Sequence, residues 1–174
     1  MEKSKLIIEK QVVECYKIRG EEFSWADITI DAKHNTGRIS IASDYGNWQN
    51  FWGACGCSFN EFLAGIDIHY AANKFGAGNW FDLEKTIKGL KERINDSSVG
   101  EKYKKEIFEE LEELSNSSGK EEFIHIVQNC DKIMEFENHC PDMINSIEPG
   151  FKRFWEEIWQ FFITEISKVE TAEK

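Results

Sequence analysis

The chain is poor in proline, has no long apolar run and carries no surplus of positive charge. Its 174 residues include two prolines, Pro141 and Pro149, so no proline-rich linker divides it, and both fall between helical runs, where a missing N–H does least damage. Apolar runs are a few residues long, far short of the ~20 needed to span a bilayer, and no transmembrane helix is expected. The N-terminal stretch from Met1 to Lys10 interrupts its apolar residues with charge. It lacks the apolar core and cleavage site of a secretory signal, so the cytoplasm is the expected compartment. Cys15, Cys55, Cys57, Cys130 and Cys140 form an odd, irregularly spaced set, which reads as reduced thiols rather than a disulfide framework. Lys and Arg number 21 against 32 Asp and Glu, a net charge of −11. That sign argues against sequence-independent nucleic-acid binding, which relies on cations replacing the phosphate counterions.

Apolar and aromatic residues are plentiful. At 41% hydrophobic and 13% aromatic, the chain has enough apolar surface to offset the entropy of ordering its backbone. A single domain over residues 1–174 is expected, with strands mainly in 1–57 and helices mainly in 58–170.

Period-two alternation marks the first third. In Trp25–Ala32, Ile28, Ile30 and Ala32 share one face and Thr29 and Asp31 the other. A turn over His34–Gly37 follows, with Gly37 free to supply a positive φ, and Arg38–Ser43 resumes the alternation as the second arm of a hairpin. Residues 6–18 are rich in Ile, Val, Cys and Tyr and favour another strand. Trp48, Asn50 and Trp52 alternate with Asn47, Gln49 and Phe51 as a further one. An antiparallel meander of three to four strands is expected.

The period then changes. Ser58-Phe-Asn-Glu61 has the form of a capping box, and Phe59, Phe62, Leu63, Ile66 and Tyr70 follow at helical spacing toward Gly76-Ala-Gly78. Asp82 is an N-cap for a helix carrying Leu83, Ile87, Leu90 and Ile94. Ser98 caps a third helix with Tyr103, Ile107, Leu111 and Leu114, and a fourth carries Phe123, Val127, Cys130 and Met134. The last, from about Phe151 to Val169, has two apolar stripes: Trp155, Trp159, Phe162 and Ile166, and beside them Phe151, Phe154, Ile158 and Phe161. Such breadth predicts a helix covered on two sides, between the sheet and other helices. The expected fold class is α+β, an N-terminal antiparallel meander packed against four to five C-terminal helices.

Candidate chemistry is sparse. The segment from Ser43 to Gly53 mixes Asp44, Tyr45, Asn47 and Trp48, side chains suited to a recognition surface, although the same residues serve equally as turn and core. Gly53-Ala-Cys-Gly-Cys-Ser58 precedes a helix as an anion-binding loop does, but it has neither the Lys-Ser/Thr of a P-loop nor a G-x-G-x-x-G; helix capping explains it. Cys55-x-Cys57 and the His139-Cys140 pair do not have zinc-ligand spacing, and His34, His69 and His125 form no H-E-x-x-H. No catalytic residue, metal or cofactor is expected, and the protein reads as a non-enzyme.

Charge is distributed unevenly. Residues 1–81 balance to −2 and residues 82–174 to −9. Glu106, Glu109, Glu110, Glu112 and Glu113 lie opposite the Tyr103, Ile107, Leu111, Leu114 stripe, so one helix presents a carboxylate face. Such a face keeps a protein soluble; it also suits a basic groove on a partner, where complementary potentials speed encounter.

Two segments resemble a group of small phage and prophage proteins. Arg38-Ile-Ser-Ile-Ala-Ser-Asp-Tyr-Gly-Asn-Trp48, continuing through Trp52-Gly53 to Phe59-Asn-Glu-Phe-Leu63, matches a strand, an S-D-Y-G turn, an aromatic strand and a helix with an F-x-x-F-L core. Phe154-Trp-Glu-Glu-Ile-Trp159, with Phe162, matches a late F-W-x-E-I-W helix. The resemblance carries no catalytic residue across; it implies phage origin, an accessory role and a bacterial cytoplasm. With the acidic face, it leads to the expectation of an anti-CRISPR-like, non-enzymatic inhibitor of host defence. Its partner would be a host protein or ribonucleoprotein complex with a basic groove, met by Glu106, Glu109, Glu110 and Glu113 together with Tyr45 and Trp48. Alternatives are a small enzyme or ligand-binding protein in which Asp44, Tyr45, Asn47 and Cys55 or Cys57 converge, and a phage assembly adaptor using the aromatic C-terminal helix.

Overall fold

The structure, a computed structural model, describes residues 7–21 and 24–172; Met1–Leu6, which begin the stretch read above for a signal sequence, lie outside these. Two compact units are distinguished: Met1–Ala77 with Glu148–Lys174, and Gly78–Ile147.

The first unit contains an antiparallel meander in the order β1-β2-β3-β4, formed by β1 (Glu14–Arg19), β2 (Trp25–Lys33), β3 (Thr36–Ser43) and β4 (Gly46–Trp52). Alternation sets its inner face: Ala26, Ile28, Ile30, Ile39, Ile41, Trp48 and Trp52 are buried, whereas Ala32 lies beyond the covered region and is exposed. Ladder pairing begins at Glu14 opposite Ile30, so the expected first strand is shorter than 6–18. Ile8 and Val12 are 96% exposed. Their β-branched side chains favour extended backbone, but a strand also needs a paired neighbour. The positive φ of the β2–β3 turn falls on His34 (+56°), not on Gly37. Gly37 is needed for space instead, because a Cβ there would lie 2.8 Å from the Phe59 ring.

The helical run after β4 is interrupted. α1 (Phe59–Gly65) and α2 (Ile68–Phe75) are separated because Asp67 caps α2, its carboxylate accepting the Tyr70 N–H at 2.9 Å. Gly76 ends α2 at φ +78°. The last helix opens with Pro149 in its first turn and runs as α7 (Pro149–Phe154), a π-helical turn (Trp155–Trp159) and α8 (Gln160–Ala172). Phe151, Phe154, Trp155, Ile158, Trp159, Phe162 and Ile166 are buried. Trp48 meets Phe151 edge-on at 5.1 Å, Tyr16 meets Phe162 at 5.2 Å, and α1 packs against α8, so this helix is covered by the sheet and by α1. Phe161, expected on the second stripe, is 57% exposed.

The second unit contains α3 (Leu83–Asp96), α4 (Glu101–Ser115), α5 (Lys120–Val127) and α6 (Asp131–Glu137), with a short ribbon of β5 (Trp80–Phe81) and β6 (Asn145–Ser146). Ile87, Leu90, Ile94, Ile107, Leu111, Leu114, Phe123, Val127, Cys130 and Ile133 form its core. Asp82 caps α3 as expected, accepting from the Lys85 N–H at 3.0 Å. Gly100 rather than Ser98 precedes α4, and it makes no side-chain cap bond. The expected fourth helix is two helices, because the chain breaks before Cys130, and Ile133 takes the buried place assigned to Met134.

Candidate functional site

In α4, Glu106, Glu109 and Glu113 face outward, and Glu110 does not serve with them. Glu106 lies 4.0 Å from Lys102, and Glu109 lies 3.8 Å from Lys105. Glu110 reaches across to α6, its two oxygens accepting the Lys132 and Ile133 N–H groups at 3.0 and 2.9 Å. It therefore satisfies a helix N-terminus that has no side-chain cap of its own. Beside it the buried Cys130 thiol is pushed up to about 11, first by burial and then by Glu110, Glu113 and Asp131.

Beyond its first residue, the order of charge along α4 runs against the helix dipole. Glu101 sits in its first turn and Lys102, Lys104 and Lys105 fill the rest of the N-terminal half; Glu106, Glu109, Glu110, Glu112 and Glu113 follow, and the last turn holds no basic residue. Carboxylates favour a helix N-terminus and cations its C-terminus, each by about 0.3–1 kcal/mol, and Glu-before-Lys pairs are better than the Lys-before-Glu order found here. Past the turn, α5 adds Glu121 and Glu122 in its first turn, where the dipole welcomes them. These two follow Gly119 in the sequence, outside the apolar stripe that marks the face of α4. The unit Gly78–Ile147 carries nine basic and sixteen acidic residues, a balance of −7.

Tyr45 and Trp48 belong to the other unit. Trp48 is 8% exposed and packs against Phe151 and Phe154, which removes it as a surface anchor. Tyr45 sits on the β3–β4 turn, where its hydroxyl donates to Glu157 and the Arg153 guanidinium lies 5.2 Å over its ring. Arg153 also pairs with Glu157 at 3.2 Å, and Asp44 accepts the Trp25 N–H at 3.0 Å. The Tyr45 hydroxyl and Arg153 hold the Glu157 carboxyl below its usual range, and the Glu157 hydrogen bond pushes the Tyr45 phenol up. The S-D-Y-G turn and the F-W-E-E-I-W helix thus meet, although Tyr45 and Glu157 are 112 residues apart. Gly150 permits this, since a Cβ there would lie 2.5 Å from the Tyr45 carbonyl oxygen.

The residues proposed for a ligand pocket do not converge. Asp44, Tyr45 and Asn47 lie at one end of β4, and Cys55 and Cys57 beyond the other. Six residue steps of strand separate those ends, roughly 20 Å at ~3.3 Å per residue. A cleft of about 280 Å³ has Val12, Val13, Ile30, His34 and Phe59 among its walls, and it is not lined by Asp44, Tyr45, Asn47, Cys55 or Cys57. Among the described residues, no three His, Cys, Asp or Glu side chains are placed to hold a metal ion. No helix of the described residues is long and apolar enough to cross a membrane.

A family model supports a phage protein. The chain belongs to a phage protein family, Phage_phiTE_072, whose model matches residues 7–169. No curated protein and no solved structure matches it.

Proposed function

We propose that this phage protein is a non-enzymatic accessory protein of the bacterial cytoplasm that inhibits host defence in an anti-CRISPR-like manner. In this reading, the acidic surface of α4 and the start of α5 occupies a basic nucleic-acid channel of a host ribonucleoprotein. The observation that carries it is the crowding of carboxylates toward the C-terminal end of α4. A helix whose charges served only its own stability would carry cations, not carboxylates, in its last turns. Here Glu109, Glu112 and Glu113 crowd the unfavourable end within a unit of balance −7. Carboxylates at that density match the sign of the phosphates a basic channel is built to hold, and such complementarity acts on encounter rate and partner choice.

The test is competition with target DNA for a purified CRISPR effector–guide complex. The wild-type protein is expected to slow target binding, and to do so less as salt rises, because exposed charges are screened. The variant E106K/E109K/E112K/E113K, which spares Glu110 and its cap on α6, is expected to lose inhibition by roughly tenfold or more. Equal inhibition by this variant and the wild type would remove the acidic surface as the point of contact.

A further inference from the structure

Cys55, Gly56 and Cys57 lie in the connection from β4 to α1. Gly56 has φ +79°, and a Cβ built on it would meet nothing within 4 Å, so the turn faces open space. A chain turning through a left-handed residue draws the flanking Cα atoms together, toward the ~5.5–6 Å that disulfides favour. The Cys57 side chain folds back across the turn, its thiol donating to the Cys55 carbonyl oxygen at 3.7 Å. Both thiols are partly exposed. The loop is held on either side: the Cys55 N–H donates to Asn35 O at 2.7 Å, and Ser58 Oγ accepts from the Glu61 N–H at 3.2 Å. Burial, and then the neighbouring Cys57, push the Cys55 thiol up.

We propose that Cys55 and Cys57 are a reversible dithiol–disulfide site, oxidised by a low-molecular-weight disulfide such as glutathione disulfide. One cysteine, as thiolate, attacks a sulfur of the oxidant, forming a mixed disulfide and releasing one glutathione thiolate. The second cysteine attacks the protein sulfur of that mixed disulfide, closing the Cys55–Cys57 bond and releasing the second glutathione. The two protons lost by the cysteines end on the released thiols, and the two electrons reduce the oxidant. Exposed Cys15 and Cys140 lie elsewhere in the sequence, and buried Cys130 is shielded.

The full-length protein is incubated with glutathione disulfide, alkylated, digested with trypsin and weighed. Cys55 and Cys57 are the only cysteines in the peptide from Ile39 to Lys74. That peptide is expected to lose two hydrogens, to escape alkylation and to regain both on reduction, while Cys15 takes up glutathione. In C55S or C57S, with unchanged circular dichroism, the remaining thiol keeps its glutathione because nothing resolves it. A wild-type peptide that accumulates glutathione adducts without closing, or whose thiols both stay alkylatable while Cys15 is modified, overturns the proposal.

Discussion

Asp82 takes part in three contacts with one carboxylate: it caps α3 through the Lys85 N–H, accepts the Ser146 hydroxyl at 2.7 Å and pairs with the Lys85 ammonium at 2.9 Å. The Lys85 N–H first, then Ser146, hold it down to about 2 from an ordinary 3.8. A depressed carboxyl stabilises the fold above its unfolded pKa, and that contribution fades as pH falls through the folded value. Asp82→Ala is expected to cost about 1–2 kcal/mol at neutral pH in urea unfolding. The gap to wild type should narrow between about pH 4 and about pH 2. A gap that is constant across that window would show that the charge of Asp82 contributes nothing. Thiol accessibility gives a second expectation: maleimide should label exposed Cys15 and Cys140 well before Cys130, which is buried and raised to about 11. Asp82 was readable in the sequence because a cap acts on its own helix. The role of Glu110 was not, since its acceptors' partners, Lys132 and Ile133, lie 22 and 23 residues on and only folding brings them near.

Among the elements, the last helix ties the first unit together through Gly150 and Trp48. Gly150→Ala places a Cβ 2.5 Å from a backbone oxygen, which no rotamer change relieves. It is expected to destabilise by about 1–3 kcal/mol in urea unfolding. Trp48→Ala should cost about 3–5 kcal/mol by opening a cavity among Phe151 and Phe154. Near-neutral results would mean that the turn and the helix are not packed as described. Strand alternation and apolar spacing predicted the meander, α3 and α4, because in these one buried face repeats at a fixed period. The breaks at Asp67 and before Cys130 are hidden in the sequence because the apolar period carries on across them: Ile66 and Tyr70 flank the first, and Val127, Cys130 and Met134 run through the second. The π-helical turn has no periodic signature of comparable strength. In α4 the charge order separates stability from binding. E112K/E113K should raise the stability of the second unit by about 0.3–1 kcal/mol per residue, as cations replace carboxylates at the C-terminal end of the helix. The same variant should weaken the partner interaction.

For the whole molecule, the net charge of −11 resolves into an acidic helical unit of balance −7 and a remainder of −4 containing the sheet and its aromatic core. The acidity of the helical part is legible in the sequence, where five glutamates of α4 stand opposite its apolar stripe. Trp48, which suits either a recognition surface or the core, packs against Phe151 and Phe154. The Tyr45 turn and the helix carrying Arg153 and Glu157 show no connection in the sequence, because a contact 112 residues apart leaves no local pattern. The most direct measurement is the inhibition constant for target-DNA binding by a purified CRISPR effector–guide complex. It is taken across a salt series for wild type and for E106K/E109K/E112K/E113K, with both proteins shown to be folded. Inhibition that declines with salt in the wild type and is lost by roughly tenfold or more in the variant is the predicted result. Inhibition that is absent in the wild type, or equal in the two proteins at every salt concentration, would contradict it.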